Sequence, residues 1–286
     1  MQFESARKSQ LEQDGFTHLP GLIAPAMLQR LRELFDQILV PDLDPSKVKM
    51  DRSGGPVVTN INGLCYRGNL AVLELLALPD VMNVATAICG EDVFLLQEFA
   101  VIKHRGDGNP VLWHQDMVHR RSAPCFAMGI YLDDAEPGQG ALRFVPGSHL
   151  REEPIGELAL LPAVELPVKA GDVLIHDMMT AHSSEPMEGN DIRRVIYLEF
   201  LSTELAVGEE IYPKEIIDNR KRLLHAARRF RREINPGGAC FKPRQKDPAP
   251  RDRKRDVMQV LAEIYSVPTR PRPANYCFER IPANLI

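Results

Sequence analysis

The stretch Val93–Leu201 is built from short apolar runs: VFLLQEFAVI (Val93–Ile102), FAMGIYL (Phe126–Leu132), ALRFV (Ala141–Val145), VELPV (Val164–Val168), DVLIH (Asp172–His176) and RRVIYLEF (Arg193–Phe200). Each has the length of a strand, and Gly, Pro and Asp mark the turns between them. Many short strands spaced by turn residues point to a sandwich or a barrel. The chain is therefore expected to be mainly β with flanking helices.

The same stretch carries an uneven distribution of metal-ligating residues. Trp113-His-Gln-Asp116 places His114 and Asp116 two residues apart. Side chains i and i+2 of an extended chain share a face, so these two can approach one metal together. A second histidine has to come from another strand, and His182 is the candidate. Two imidazoles and one carboxylate can hold Fe(II) and leave coordination positions open. Ser184 follows His182 at the spacing that shares its face, and Arg193 lies eleven residues beyond His182. A turn containing Pro186, Gly189 and Asn190 separates them, which predicts that His182 and Arg193 sit on adjacent antiparallel strands. An arginine there can form a bidentate pair with a carboxylate held near the metal, and Arg194 points the other way.

Of the eight histidines, His176 is the serious competitor to His182, because it sits in a strand-like run beside Asp177. His104 and His119 are candidates to line the site. His149 is expected to fix the Pro-Gly turn before it, and His18 and His225 to serve surface or packing roles.

Outside the strand-rich stretch, Ala24–Leu39 has apolar residues at three- and four-residue spacing and predicts an amphipathic helix, preceded by a short strand in GFTHLPGLI. Val40–Asn69, rich in Pro, Asp, Gly and Asn, reads as a long loop, with its Val57–Arg67 part a candidate pocket wall. A helix is expected over Leu73–Cys89. From Glu204 onward the chain reads as helical and then irregular. The arginine-rich Asn219–Arg232 is expected to pack Leu223, Leu224, Ala227 and Phe230 on the core or on a second copy of the chain, with its charges in water. The cluster His119-Arg120-Arg121 reads as a solvated basic turn, with a grip on an acidic substrate group as the alternative.

One domain of 286 residues is expected, with 1–92 packing on a core formed by 93–201 and 202–286 as an extension. A formal net charge of −4 argues against nucleic acid as a partner. Five scattered cysteines with no paired spacing suggest a reducing, cytoplasmic setting. No run has membrane-spanning length, and the N-terminus lacks a signal-peptide core.

WHQD at Trp113–Asp116, LDDAEPGQGALRFVPGSH at Leu132–His149, AGDVLIHD at Ala170–Asp177, the His182-Ser-Ser run with Arg193, and DGFTHLPGLIAPAMLQRLRELF at Asp14–Phe35 together resemble the phytanoyl-CoA dioxygenase family of Fe(II)/2-oxoglutarate-dependent oxygenases. The resemblance implies a double-stranded β-helix (jelly-roll, cupin-like) core. It implies Fe(II) on His114, Asp116 and His182, and the 2-oxoglutarate C5 carboxylate on Arg193 assisted by Ser184. Gln97, seventeen residues before His114, matches a glutamine that contacts the co-substrate in some relatives. Lys103 shares its strand parity, with a solvated strand-end lysine as the other reading. Gly129 departs from the family, where a bulky aromatic is common, and a thinner barrel wall with a larger pocket is expected there.

The implied reaction couples O2 and decarboxylation of 2-oxoglutarate, to succinate and CO2, with oxidation of a small organic molecule in secondary metabolism. The substrate is expected to be acidic or carrier-linked. Related halogenases carry a small residue in place of the aspartate, so Asp116 favours hydroxylation. Desaturation, epoxidation and rearrangement are alternative outcomes. A cupin-like metalloenzyme without 2-oxoglutarate and a non-catalytic binding protein are alternatives of other classes. Arg193 weighs against the former and the complete triad against the latter.

Overall fold

The computed structural model describes residues 3–39, 48–51, 57–104, 110–117, 122–187, 192–210, 212–244 and 246–267. His119, Arg120, Arg121, Gly189, Asn190 and Cys277 lie outside them. The elements run α1 (Ser5–Asp14), β1 (Phe16–Leu19), α2 (Pro25–Ile38), β2 (Val48–Asp51), β3 (Val57–Asn62), α3 (Ala71–Leu75), α4 (Pro79–Cys89), β4 (Val93–His104), β5 (Val111–His114) and β6 (Cys125–Tyr131). They continue with β7 (Leu142–Phe144), α5 (Ile155–Leu158), β8 (Val164–Leu166), β9 (Val173–Asp177), β10 (His182–Ser184), β11 (Ile192–Ser202), α6 (Thr203–Gly208), α7 (Lys214–Ile234) and α8 (Val257–Ser266).

Two antiparallel sheets face each other. The larger has the order β1-β9-β6-β11-β4-β3-β2, the smaller β5-β10-β7-β8. The chain passes repeatedly from one sheet to the other, and this is the jelly-roll expected from the strand-rich stretch. All seven residues of β6 are buried, because one face of the large sheet looks into the space between the sheets and the other is covered by helices. Phe126, Met128 and Ile130 on the outer face join the core that includes Leu31, Leu34, Phe35, Val84 and Ile88 of α2 and α4. Ala127 and Tyr131 on the inner face pack with Phe144, Leu174, Val195 and Tyr197.

Three expectations are corrected. Val40–Asn69 is not a continuous loop: Val57–Asn62 is a strand that pairs with β4 and with β2. The unpaired edge of β4 supplies the partner, and Ile61, fully buried opposite Ala100, fixes the register. Leu73–Cys89 is two helices rather than one, since Pro79 has no N–H to donate and can only begin a new helix. The tail after Ile234 is not wholly irregular: α8 is capped by Asp256, whose Oδ1 accepts from the Gln259 N–H at 3.1 Å, and it buries Val260, Leu261 and Ile264.

α7 also departs from a helix that shows its charges to water. Arg220 is buried and reaches the Leu95 carbonyl and the carboxylate of buried Glu98. Arg231 meets Glu74 at 2.6 Å, and Arg222 bridges Asp252 and Glu263. Its arginines tie the helix to the outer face of β4 and to the following segments.

Among the described residues no helix is long and apolar enough to cross a membrane. Cys65, Cys89, Cys125 and Cys240 are free thiols.

Candidate active site

His114 closes β5 and pairs across the ladder with His182, the first residue of β10. Asp116 lies in a bend just past the end of β5. The His114 Nε2 is 3.5 Å from Asp116 Oδ1, and the His182 Nε2 is 3.8 Å from Asp116 Oδ2. One ligand atom from each of the three lies within 4.8 Å of the others. The backbone aims both rings. His114 Nδ1 meets the Leu112 carbonyl at 2.8 Å, and His182 Nδ1 meets the Thr180 carbonyl at 2.9 Å. With Nδ1–H donating, each Nε2 lone pair is left facing the centre, the arrangement a metal-binding imidazole needs.

The electrostatics suit a cation. Burial and the neighbouring His114 push His182 well below the ordinary histidine range, so its ring is neutral. Burial alone would raise Asp116, but His182, His114 and His176 around it outweigh that and hold its carboxyl well below the usual carboxylate range. An ionised carboxylate beside the neutral His182 ring suits a divalent metal.

His176, the competitor, is 1% exposed and stands in the same site. Its Nε2 lies 3.0 Å from Asp116 Oδ2, and its ring centroid is 4.5 Å from that of His182. It reaches the carboxylate rather than completing the cluster of three ligand atoms.

Arg193 is not on a strand adjacent to His182, as the turn between them suggested. β10 belongs to the small sheet and β11 to the large one, so the two residues face each other across the interior. The chain changes sheets here instead of closing a hairpin. Arg193 is wholly buried. Its Nη1 donates to the Gly140 carbonyl, while its Nε and Nη2 have no hydrogen-bond partner among the described residues. The Ser184 hydroxyl is likewise buried and unpartnered. Gly140 has φ +77°, and a Cβ there would come within 3.1 Å of Lys103 Cδ, so glycine is needed both for the turn and for the close approach of these two cations. Tyr131 stands beside Arg193 with its hydroxyl pushed well above the ordinary phenol range by burial and by Tyr197, so it remains a neutral donor.

The other predicted residues divide. Lys103 is not solvated: it is 2% exposed, and its Nζ donates to the carbonyls of Ser184, at 3.1 Å, and Glu185. Gln97 lies six residues from Lys103 along β4, about 20 Å at strand rise. Its Nε2 donates to Glu199 Oε2 at 2.7 Å. His104 turns to the Val58 carbonyl, 3.0 Å away. His18 meets Asp172 at 2.8 Å and His149 meets the Glu12 carbonyl at 3.2 Å, both in structural roles. The space over Gly129 is not added pocket: the Tyr197 ring lies across it, 3.0 Å from where a Cβ would stand, and stacks on Phe99.

Glu199 went unnoticed in the sequence. It is 2% exposed, and burial together with the Asp116 charge pushes its carboxyl well above the usual range. The signal was present in strand parity, which puts Glu199 and Tyr197 on the Arg193 face of RRVIYLEF.

This site lies within a recognisable family. The model of the phytanoyl-CoA dioxygenase (PhyH) family matches residues 11–195. The chain belongs to that family. It is a non-haem Fe(II)/2-oxoglutarate-dependent oxygenase that uses Fe(II), 2-oxoglutarate and O2. A methylphosphonate hydroxylase from Gimesia maris is 27% identical over 221 residues, covering 69% of this chain and 79% of that protein. AviO1 from Streptomyces viridochromogenes superimposes with a TM-score of 0.63 at 27% identity, covering 72% of this chain and 97% of that one. EvdMO1 matches with the same TM-score and identity over 69% of this chain and 50% of its own, so the chain spans about half the length of that protein. The residues present fit the cofactors. The three ligand atoms converge on one point, and the unpartnered Arg193 nitrogens and Ser184 hydroxyl are donors without an acceptor, which a carboxylate of 2-oxoglutarate would supply.

Proposed function

We propose that the enzyme hydroxylates a C–H bond of a small organic molecule, in cytoplasmic secondary metabolism, with release of succinate and CO2. The observation that carries this reading is the pairing, across one buried interior, of the His114–Asp116–His182 cluster with the unpartnered donors of Arg193 and Ser184. In this reading His114, Asp116 and His182 hold Fe(II). Arg193 binds the C5 carboxylate of 2-oxoglutarate through its two free nitrogens, assisted by Ser184, and Tyr131 is a further neutral donor beside it. Bound iron and co-substrate supply, with O2, the oxidant that takes hydrogen from the substrate.

The chain's own residues set where that oxidant acts. The His176 Nε2–H, donating to Asp116, orients the carboxylate and keeps it a ligand, and the presence of Asp116 favours hydroxylation over halogen transfer. Gln97, tied to Glu199 and some six residues along the strand from Lys103, is read as wall of the substrate side rather than as a contact to the C5 carboxylate. Glu199, whose carboxyl burial and the Asp116 charge push well above the usual range, is read as a further polar group of that wall. The name of the relative from Gimesia maris, a hydroxylase of a small phosphonate, supports both the reaction type and the substrate size. The three segments 1–92, 93–201 and 202–286 are read as one domain, since β1 and β3 extend the large sheet and α7 lies on β4.

The test is mass spectrometry of products from a panel of small molecules incubated with iron, 2-oxoglutarate and isotopically heavy dioxygen. Gain of one heavy oxygen atom is expected. Loss of two hydrogens without added oxygen would replace hydroxylation by desaturation.

A further inference from the structure

α7 covers the outer face of β4, the side turned away from His114, Asp116 and His182, through Arg220 and its contacts to Leu95 and Glu98. Its other side, together with the segment around 243–253 and α8, lines a half-open cleft of about 720 Å3. This part of the chain lies beyond residue 195, where the family match ends.

The wall of that cleft is cationic. Arg222, His225, Arg229 and Arg232 recur at three- and four-residue spacing along one side of α7, with Arg228 beside them. Lys246 and Arg253 come from the facing wall, and the opposing acids are Glu233, Asp247 and Asp252. Six cationic side chains against three carboxylates is a marked local excess in a chain of formal net charge −4.

Part of that charge is already matched. Arg222 meets Asp252 at 2.7 Å and Glu263 at 2.9 Å, and Arg253 meets Asp247 at 3.0 Å. The Arg222 pairs tie α7 to the facing wall and to α8, and the Arg253–Asp247 pair braces the facing segment itself. Others are not matched. Arg228, Arg232 and Lys246 make no side-chain hydrogen bond or ion pair among the described residues. Arg228 Nε, Arg229 Nε, Arg229 Nη2 and His225 Nε2 are buried with no hydrogen-bond partner. Arg229 is matched in part: its Nη1 donates to the Asp252 carbonyl, and Glu233 is ion-paired with it at 3.6 Å from Nε, too far to accept a hydrogen bond. Buried guanidinium N–H groups without acceptors are costly, and a ligand that brings several anionic oxygens removes the cost. The cleft is too large for an isolated inorganic ion and falls in the range of small-molecule sites.

We propose that this cleft binds a small molecule bearing a phosphate or diphosphate group, at a site separate from the iron centre. The forked donors of Arg228, Arg229 and Arg232 match phosphate oxygens bidentately, and Lys246 adds a mobile charge from the opposite wall. A free nucleotide and the phosphorylated end of a carrier-linked molecule present the same chemistry.

The test is calorimetric titration of the iron-loaded full chain at low ionic strength with inorganic pyrophosphate, ADP and phosphopantetheine. Saturable binding to one site is expected, with Kd at or below about 1 mM for at least one probe. The double substitution R228S/R232S should weaken it about tenfold or more, the loss of at least one charge-assisted hydrogen bond, and Lys246→Ser should weaken it in the same direction. Binding of 2-oxoglutarate should be unchanged in these variants. The control R7S/R151S, which removes the same charge elsewhere, should leave pyrophosphate affinity as it is. Tighter binding of ADP assigns a nucleotide, and tighter binding of phosphopantetheine assigns a carrier-linked molecule. Absence of saturable binding for all three probes, equal weakening by the control, or displacement of pyrophosphate by 2-oxoglutarate would overturn the proposal.

Discussion

Replacing Arg193 by Gln separates a cofactor-binding guanidinium from a structural one. Among the described residues two of its nitrogens have no hydrogen-bond partner, and Nη1 donates to the Gly140 carbonyl. A fully paired buried arginine would cost about 3–5 kcal/mol to remove, because its partner charge is stranded. Arg193 strands no carboxylate, and its own unsatisfied N–H groups already cost about 1–3 kcal/mol. The unliganded stability of the variant is therefore expected to stay within about 1 kcal/mol of wild type. Co-substrate binding should respond in the opposite way. Loss of a buried charged pair to the C5 carboxylate costs about 2–5 kcal/mol, a rise in Kd of about 30- to 5,000-fold. Urea unfolding of the iron-loaded protein under anaerobic conditions reads both quantities. At a 2-oxoglutarate concentration of about 100 times the wild-type Kd, wild type gains about 2.7 kcal/mol, and the variant should gain no more than about 0.9 kcal/mol. A variant that keeps the full gain, or that loses more than about 3 kcal/mol without ligand, would refute the reasoning.

Three further outcomes are expected. His176→Phe keeps an aromatic ring but removes the hydrogen bond to Asp116. It should still bind one equivalent of iron with affinity lowered about 10- to 100-fold, and loss of stoichiometric iron would make His176 a ligand. Glu199 has its carboxyl raised by burial and by the Asp116 charge, so the folded state holds its proton more tightly than the unfolded chain, and the stability this gives is present at acid pH and lost as pH rises toward the raised folded value. Glu199→Gln should therefore match wild type in apoprotein unfolding near the unfolded carboxyl range and become relatively more stable toward alkaline pH; parallel pH profiles would refute this. Arg220→Met leaves buried Glu98 without its guanidinium and should cost about 3–5 kcal/mol in urea unfolding, with much of it regained when Glu98 is also made Met.

The sheet-rich core was legible because short apolar runs bounded by turn residues leave few alternatives to a sandwich or barrel. The convergence of His114, Asp116 and His182 was legible from residue type, although Asp116 sits in a bend past β5 and not on the strand that parity assumed. The relation of that cluster to Arg193 was not legible. The turn before Arg193 reads like a hairpin, yet the chain crosses to the other sheet, and only the long-range pairing of β10 with β5 and β7 decides this. β3 was hidden because it takes its register from β4, a neighbour some forty residues away in sequence. Lys103 was equivocal for a similar reason, since the carbonyls of Ser184 and Glu185 that bury its ammonium come from the facing sheet. Gly129 pointed to added space, but its cross-strand neighbour Tyr197 fills it.

The central claim is that His114, Asp116, His182 and Arg193 form one centre for iron and 2-oxoglutarate. Anaerobic calorimetric titration of the Fe(II)-loaded protein with 2-oxoglutarate tests it most directly. One equivalent should bind, with affinity that depends on iron and is lost in Asp116→Ala. No binding, or binding of equal strength with and without iron, would contradict it.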